Sequence, residues 1–283
     1  MECRVKGIPV YYESVGEGRP LLMLHGWPGD HQYMTYHLEP LFAQRTGWRR
    51  LYPDLPGMGR TPAADWITCQ DDMLEVALAF LDAVAPGERF VVAGASYGGY
   101  LARGVVYRRG NLLDGVLLAV PAIVSDSEQH TLPPHQVLVH DNQFVAALQP
   151  DEQMVLQVAV VQSVEILTAF RAAVKPGFTA ADAALMERVE AHYAFSFPVD
   201  APPQPCRAPT LIVTGRQDSL CGYQGAWTLL DNYPRATLAV LDRAGHGLAT
   251  EQKSLFRTLV SEWLDRVEEY VSGSDSQHGE LPV

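Results

Sequence analysis

Cysteine, basic charge and long apolar runs are all scarce in this chain. Its four cysteines (Cys3, Cys69, Cys206 and Cys221) have no paired spacing, so neither a zinc site nor a disulfide framework is expected. As isolated thiols they read as small hydrophobes. Lys and Arg number 21 against 33 Asp and Glu, a formal net charge of −12. That balance argues against nucleic acid or an anionic membrane surface as partner. The best candidate for a membrane span, Gln153 to Val164, is interrupted by Gln157 and Gln162, and Met1-Glu2-Cys3-Arg4 lacks the apolar core of a signal peptide. These absences predict a cytoplasmic protein that binds a small molecule and neither nucleic acid nor membrane.

What the chain does have is alternation. Hydrophobic residues make up 47% of 283 positions, enough for a sizeable core. Short apolar runs at Ile8 to Glu13, Leu21 to Leu24, Arg50 to Tyr52, Phe90 to Ala93, Gly115 to Val120, Thr210 to Val213 and Thr237 to Leu241 read as strands. Helix-length segments separate them, the pattern of an α/β fold with a mostly parallel central sheet and flanking helices. Asp71 to Ala83 places Met73, Leu74, Ala77, Phe80 and Leu81 on one helical face. Glu251 to Tyr270 does the same with Leu255, Leu259, Trp263 and Val267.

The alternation breaks between Ile123 and Pro209. There the sequence predicts helices without strands, over His135 to Leu148, Asp151 to Val174 and Ala180 to Ala194, with Lys175-Pro176-Gly177 as a stop signal. A proline-rich return through Pro198, Pro202, Pro203, Pro205 and Pro209 cannot be a central strand. The expected organisation is therefore a core of residues 1–122 and 207–271, a helical cap insertion over 123–206 and a disordered tail from 272 to 283.

Gly94-Ala95-Ser96-Tyr97-Gly98 carries the chemistry. A serine flanked by glycines between a buried strand and a helix is a nucleophile elbow, whose sharp turn lifts the hydroxyl clear of the sheet. The helix that follows favours negative charge at its N-terminal amides. A serine hydroxyl needs a base, and the base an orienting acid. His246, in Ala244-Gly245-His246-Gly247 after the last strand, is the expected base. Asp218, in Gly215-Arg216-Gln217-Asp218, is the expected acid by the Ser…Asp…His order. Asp126, after the preceding strand, is a rival position, and Asp242 stands too close to His246 in sequence. The loop His25-Gly26-Trp27-Pro28-Gly29 is expected to supply one oxyanion donor from the Trp27 amide, with Tyr97 supplying the other. His25 reads as a brace for that loop.

Together with Asp54-Leu55-Pro56-Gly57-Met58-Gly59-Arg60-Thr61, these motifs resemble those of the α/β-hydrolases, in their capped, esterase-like branch, over about residues 5 to 271. The Asp54 segment is similar to the family's D-x-P-G-x-G-x-S turn, with Thr61 in place of serine, and reads as structural. Members with aspartate at the elbow process haloalkanes and epoxides; Ser96 implies acyl transfer instead. The resemblance implies a carboxylesterase-like enzyme with a Ser96, Asp218 and His246 triad and no cofactor or metal. Its substrate is expected to be a small, uncharged and fairly apolar ester.

Tyr33 and Met154 are the candidate substrate-binding residues, although the apolar helix bearing Met154 equally suits cap packing or a homodimer surface. A C–C hydrolase, a proline iminopeptidase-like peptidase and a non-catalytic ligand sensor are the alternatives. Activity is expected to fall below about pH 6–7 as the histidine protonates.

Overall fold

The computed structural model describes residues 1–123 and 132–278. Its strands are β1 (Glu2–Val5), β2 (Ile8–Val15), β3 (Arg19–Leu24), β4 (Trp48–Pro53), β5 (Phe90–Ala95), β6 (Leu113–Ala119), β7 (Thr210–Gly215) and β8 (Ala236–Leu241). They form one sheet in the order β1-β2-β4-β3-β5-β6-β7-β8. β1, β2 and β4 pair antiparallel, and every contact from β4 to β8 is parallel. The helices are α1 (His31–Leu38), α2 (Gln70–Val84), α3 (Tyr97–Arg109), α4 (Asn142–Ala147), α5 (Val164–Ala173), α6 (Lys175–Ala180), α7 (Ala183–Glu190), α8 (Gly225–Thr228), α9 (Leu248–Glu251) and α10 (Lys253–His278).

The central strands are apolar on both faces because both faces are covered. Successive side chains point to opposite sides, so Leu21 and Met23 enter one layer while Leu22 and Leu24 enter the other. The first layer joins Val91, Ala93, Leu117 and Leu211 to Met34 and Leu38 of α1 and to Phe256, Val260, Trp263, Leu264 and Val267 of α10. The second joins Val92, Val116, Leu118 and Ile212 to α2 and α3. The indole N–H of Trp263 donates to the Pro209 carbonyl at 3.0 Å, so this large buried ring leaves no polar atom unpaired.

The structure departs from the sequence reading in several places. β1 is an edge strand that the run Glu2-Cys3-Arg4-Val5 does not announce; only Val5 is buried. In α10 the inward stripe runs through Phe256, while Leu255 stays 45% exposed. The polar stretch from Ser272, expected to lack structure, continues α10 to His278; residues 279–283 lie outside the described residues.

Between β6 and β7 the helices are shorter than periodicity suggests. His135 to Leu148 yields only α4, and Asp151 to Val174 divides into a 3₁₀ stretch (Pro150–Gln157) and α5. The division falls where Ser163 caps α5, its hydroxyl accepting from Ile166 N at 3.3 Å, a local bond that competes with helix continuation. Just before it, Val161 bridges to Val139. Lys175-Pro176-Gly177 starts α6 instead of stopping a helix, as proline at a first turn does. The helix expected over Ala180 to Ala194 is present as the shorter α7, and α6 precedes it.

β3 has β4 on one side and β5 on the other, so the chain's progress across the sheet reverses there. Loops leaving the C-terminal ends of β3 and β5 diverge at such a point and leave a crevice. The crevice is kept narrow by backbone contact. A Cβ on Gly98 would strike the Leu24 carbonyl oxygen, and one on Gly94 would strike that of Gly98. Gly98→Ala is expected to cost about 3 kcal/mol and to lower Tm by roughly 6–10 °C. Gly110→Ala, where a Cβ meets nothing within 4 Å, serves as control and is expected to be neutral or stabilising by up to about 1 kcal/mol. Equal melting temperatures for the two variants would contradict this account.

Candidate active site

Ser96 follows β5 and precedes α3 with φ 53° and ψ −118°, a conformation that costs a non-glycine residue of order 1–3 kcal/mol. Its backbone is nevertheless fully engaged. The amide donates to the Ala119 carbonyl at 2.9 Å, and the Ser96 carbonyl accepts from Gly99 N at 2.9 Å, Ala122 N at 3.0 Å and Tyr100 N at 3.2 Å. The side chain is left to face the crevice, where Oγ lies 2.9 Å from Nε2 of His246.

His246 stands in the loop between β8 and α9, and Asp218 in the loop after β7. One Asp218 oxygen accepts from Leu220 N at 2.9 Å and Cys221 N at 3.0 Å, and the other lies 3.0 Å from Nδ1 of His246. A carboxylate only accepts, so the ring proton belongs on Nδ1 and Nε2 accepts from the serine hydroxyl. Burial alone raises the Asp218 carboxyl, but the adjacent imidazole and the two amides overcome it and hold the group below the usual carboxylate range. Burial likewise lowers His246, but the Cys221 side chain and the Asp218 carboxylate reverse this and keep the imidazole well above the ordinary histidine value.

The loop after β3 comes within van der Waals reach of the serine: a Cβ on Gly26 would lie 3.4 Å from that of Ser96. His25 is wholly buried beneath it, accepting from Leu55 N at 3.0 Å through Nε2, with Nδ1 2.8 Å from the Gly26 carbonyl. Burial keeps this imidazole neutral, which makes it a brace between two loops. Asp54 does similar work next door, accepting from the His31 amide and ring and from Arg60 N, each at 2.8 Å. Thr61 accepts from Tyr11 N at 2.9 Å. Trp27 and Tyr97 both line the crevice beside Ser96. The two side chains meet edge to face, with centroids 4.7 Å apart.

Over this group lies a cavity of about 890 Å³ whose walls include Tyr33 and Met154. Its remaining walls are mostly apolar, and no Lys or Arg is among the described ones. Sequence reasoning did not nominate Cys221, His37, Tyr193 or Glu251, all of which line it. Of these, Cys221 had a signal in its place three residues after Asp218. His37 is held neutral, its pKa lowered to about 3 by burial and by Arg257 and Lys253. Asp218, Cys221 and His246 bring one potential ligand atom each within 4.8 Å of one another, the only such trio among the described residues. It coincides with the hydrogen-bonded relay to Ser96. Asp126 lies outside the described residues, and Asp242 is exposed, its carbonyl accepting from Gln217 Nε2 at 3.3 Å.

Comparison with known proteins agrees with this architecture. A protein of Leptolyngbya boryana described as a probable proline iminopeptidase is 28% identical, over 84% of this chain and 85% of its own. The 2-hydroxymuconate semialdehyde hydrolase of Pseudomonas sp. (strain CF600) is 26% identical, over 93% of both chains. The crystal structure of an alpha/beta superfamily hydrolase from Oenococcus oeni PSU-1 superposes with a TM-score of 0.84 at 25% identity, over 92% of this chain and 96% of that one. Residues 21–256 match the profile of the Alpha/beta hydrolase family, and with that span covering most of the sheet and the whole crevice, the chain belongs to this family.

Proposed function

We propose that the protein is a serine hydrolase that cleaves carboxylic esters of uncharged, largely apolar substrates through an acyl-enzyme on Ser96. One observation carries the reading: Oγ of Ser96, both ring nitrogens of His246 and a carboxylate oxygen of Asp218 form an unbroken relay with steps of 2.9 and 3.0 Å. In this mechanism Oγ attacks the ester carbonyl carbon while its proton passes to Nε2 of His246. The carbonyl oxygen becomes an oxyanion that accepts from the Trp27 and Tyr97 amides, and each such donor is worth about 10²–10³ in rate. Asp218 keeps the imidazole in the right tautomer and stabilises the imidazolium. The tetrahedral adduct expels the alkoxide, which takes the proton from Nε2. Water then attacks the acyl-enzyme, giving one proton to Nε2; Ser96 leaves with that proton, and the acid departs.

The cavity sets the substrate class. Its volume falls within the range of pockets that take drug-sized ligands, so the acid and alcohol portions together extend beyond the smallest esters. A carboxylate on the substrate, such as 2-hydroxymuconate semialdehyde carries, would meet no basic side chain among the described walls. That weighs against a C–C hydrolase of this kind. A peptidase acting on a free amino terminus is the second reading, favoured by the Glu190 carboxylate on the cavity wall. The segment between β6 and β7 serves in either case as the cap.

Initial rates on acyl p-nitrophenyl esters of increasing chain length are the direct test. Ser96→Ala is expected to lose at least about 10⁴-fold in kcat with Tm unchanged. Ester turnover that survives this change would refute the proposal. Turnover of proline p-nitroanilide alone would instead select the peptidase.

The pH profile tests the base. Neutral His246 is the competent form, and its pKa is raised, so the acid limb of kcat/KM should lie above the ordinary midpoint of about 6.5. The reference value taken alone places it too low. In Asp218→Asn the imidazolium loses its counter-charge, and the limb should move to lower pH, with kcat down on the order of 10⁴-fold. A limb that does not respond to Asp218→Asn would assign it to another group.

A further inference from the structure

Glu251, the last residue of α9, is a carboxylate that the mechanism above does not use. Its side chain folds back over the turn that follows His246. One oxygen accepts from Gly245 N at 2.6 Å. The other accepts from Val160 N at 2.6 Å and Val161 N at 3.2 Å. The first amide belongs to the loop that carries the base; the other two belong to the segment between β6 and β7. Burial, with the Asp218 charge, raises this carboxyl above its ordinary value although the three amides oppose the shift; when ionised, its bonds to them are charge-assisted and roughly twice as strong as neutral ones.

A second observation joins the same two segments. A Cβ on Gly245 would lie 2.7 Å from Val160 Cγ2 and 3.2 Å from the Val158 carbonyl oxygen, so the base loop packs directly on the Val160 side chain and the backbone at Val158. On its far side the segment is held by Leu138 N and Val139 N, which donate to the Val160 carbonyl at 2.8 and 3.2 Å. Val155 and Ala159 meanwhile pack into a small apolar cluster with α4 and α5. The position of 158–161 is therefore the position of that whole cluster, and Glu251 connects it to the residue next to His246.

We propose that Glu251 is a positioning residue that makes the placement of His246 depend on how residues 158–161 are seated over the cavity. The inference rests on the hydrolase reading for its consequence, that the base is held against Ser96 only while the cavity wall is in place. Displacing the wall to admit substrate pulls two donors from one oxygen and slackens the loop held by the other.

The test is the Glu251→Ala variant, with Glu251→Gln beside it. Gln keeps one acceptor oxygen, but its NH₂ must face either Gly245 N–H or the Val160 and Val161 N–H groups, so it restores one side only. Two signals are read by NMR without any turnover: the downfield proton between His246 Nδ1 and Asp218, and amide exchange at Gly245 and Val160. In Glu251→Ala the downfield signal should broaden, both amides should exchange at least tenfold faster, and kcat on the best p-nitrophenyl ester should fall at least tenfold. Glu251→Gln should lie between Ala and wild type. A folded Glu251→Ala with the downfield proton and kcat unchanged would overturn the proposal. Should Ala fail to fold, a Gln variant indistinguishable from wild type would do the same. Absence of Ser96-dependent turnover in the wild type would instead remove the hydrolase reading, leaving the NMR signals to decide whether the tie exists.

Discussion

The turn from β5 into α3 can be made only if three pieces of backbone pass one another without side chains. Gly94 meets Gly98, and Gly98 meets the carbonyl of Leu24 at the end of β3. Because main chain lies directly on main chain, the distance between the serine and the loop after β3 is fixed by van der Waals radii and not by the adaptable packing of side chains. The left-handed φ of Ser96 follows from this contact, and the four hydrogen bonds on its amide and carbonyl offset the strain. The relay to His246 and the floor of the cavity both take their positions from this turn.

Two buried aspartates show how similar groups are sorted by their neighbours. Asp54 and Asp218 are both fully buried, and each accepts from two backbone amides and one histidine. Asp54 faces inward, fastening α1 to the turn after β4, and its histidine, His31, also lies 3.3 Å from Glu13. Asp218 uses the same number of bonds to aim an imidazole whose other nitrogen reaches the crevice. His25, one residue past β3, has no carboxylate in hydrogen-bond contact among the described residues, and burial lowers its pKa. The difference between brace and base lies in what the second ring nitrogen meets.

Much of the fold is legible in the sequence because the central strands have only one environment. A run such as Phe90-Val91-Val92-Ala93 is covered on both faces and cannot be anything but interior. β1 is hidden because an edge strand needs only Val5 to be buried. The helical segment is least legible, since its breaks arise from bonds that periodicity does not register, such as the Ser163 cap and the Val139–Val161 bridge. Leu255 reads as inward because leucine suits a core face, whereas Phe256 beside it occupies that face. In the site, chain order nominates Ser96, Asp218 and His246, which stand within hydrogen-bond distance of one another. Glu251 gives no such sign, since its partners are backbone amides and two of the three lie about 90 residues away.

The apolar cluster of Phe144, Val155, Ala159, Ile166, Leu167 and Phe170 is separate from the two layers on the sheet. Val155, Ala159, Ile166 and Phe170 also line the cavity, so this part of its wall is built by residues that do not hold the sheet together. Variation in the cluster is thereby partly insulated from global stability, and a lineage can exchange one substrate for another while the sheet and its turn stay untouched. For laboratory evolution these positions form a natural library: changes there sample specificity, whereas changes beneath Ser96 sample mainly unfolded protein.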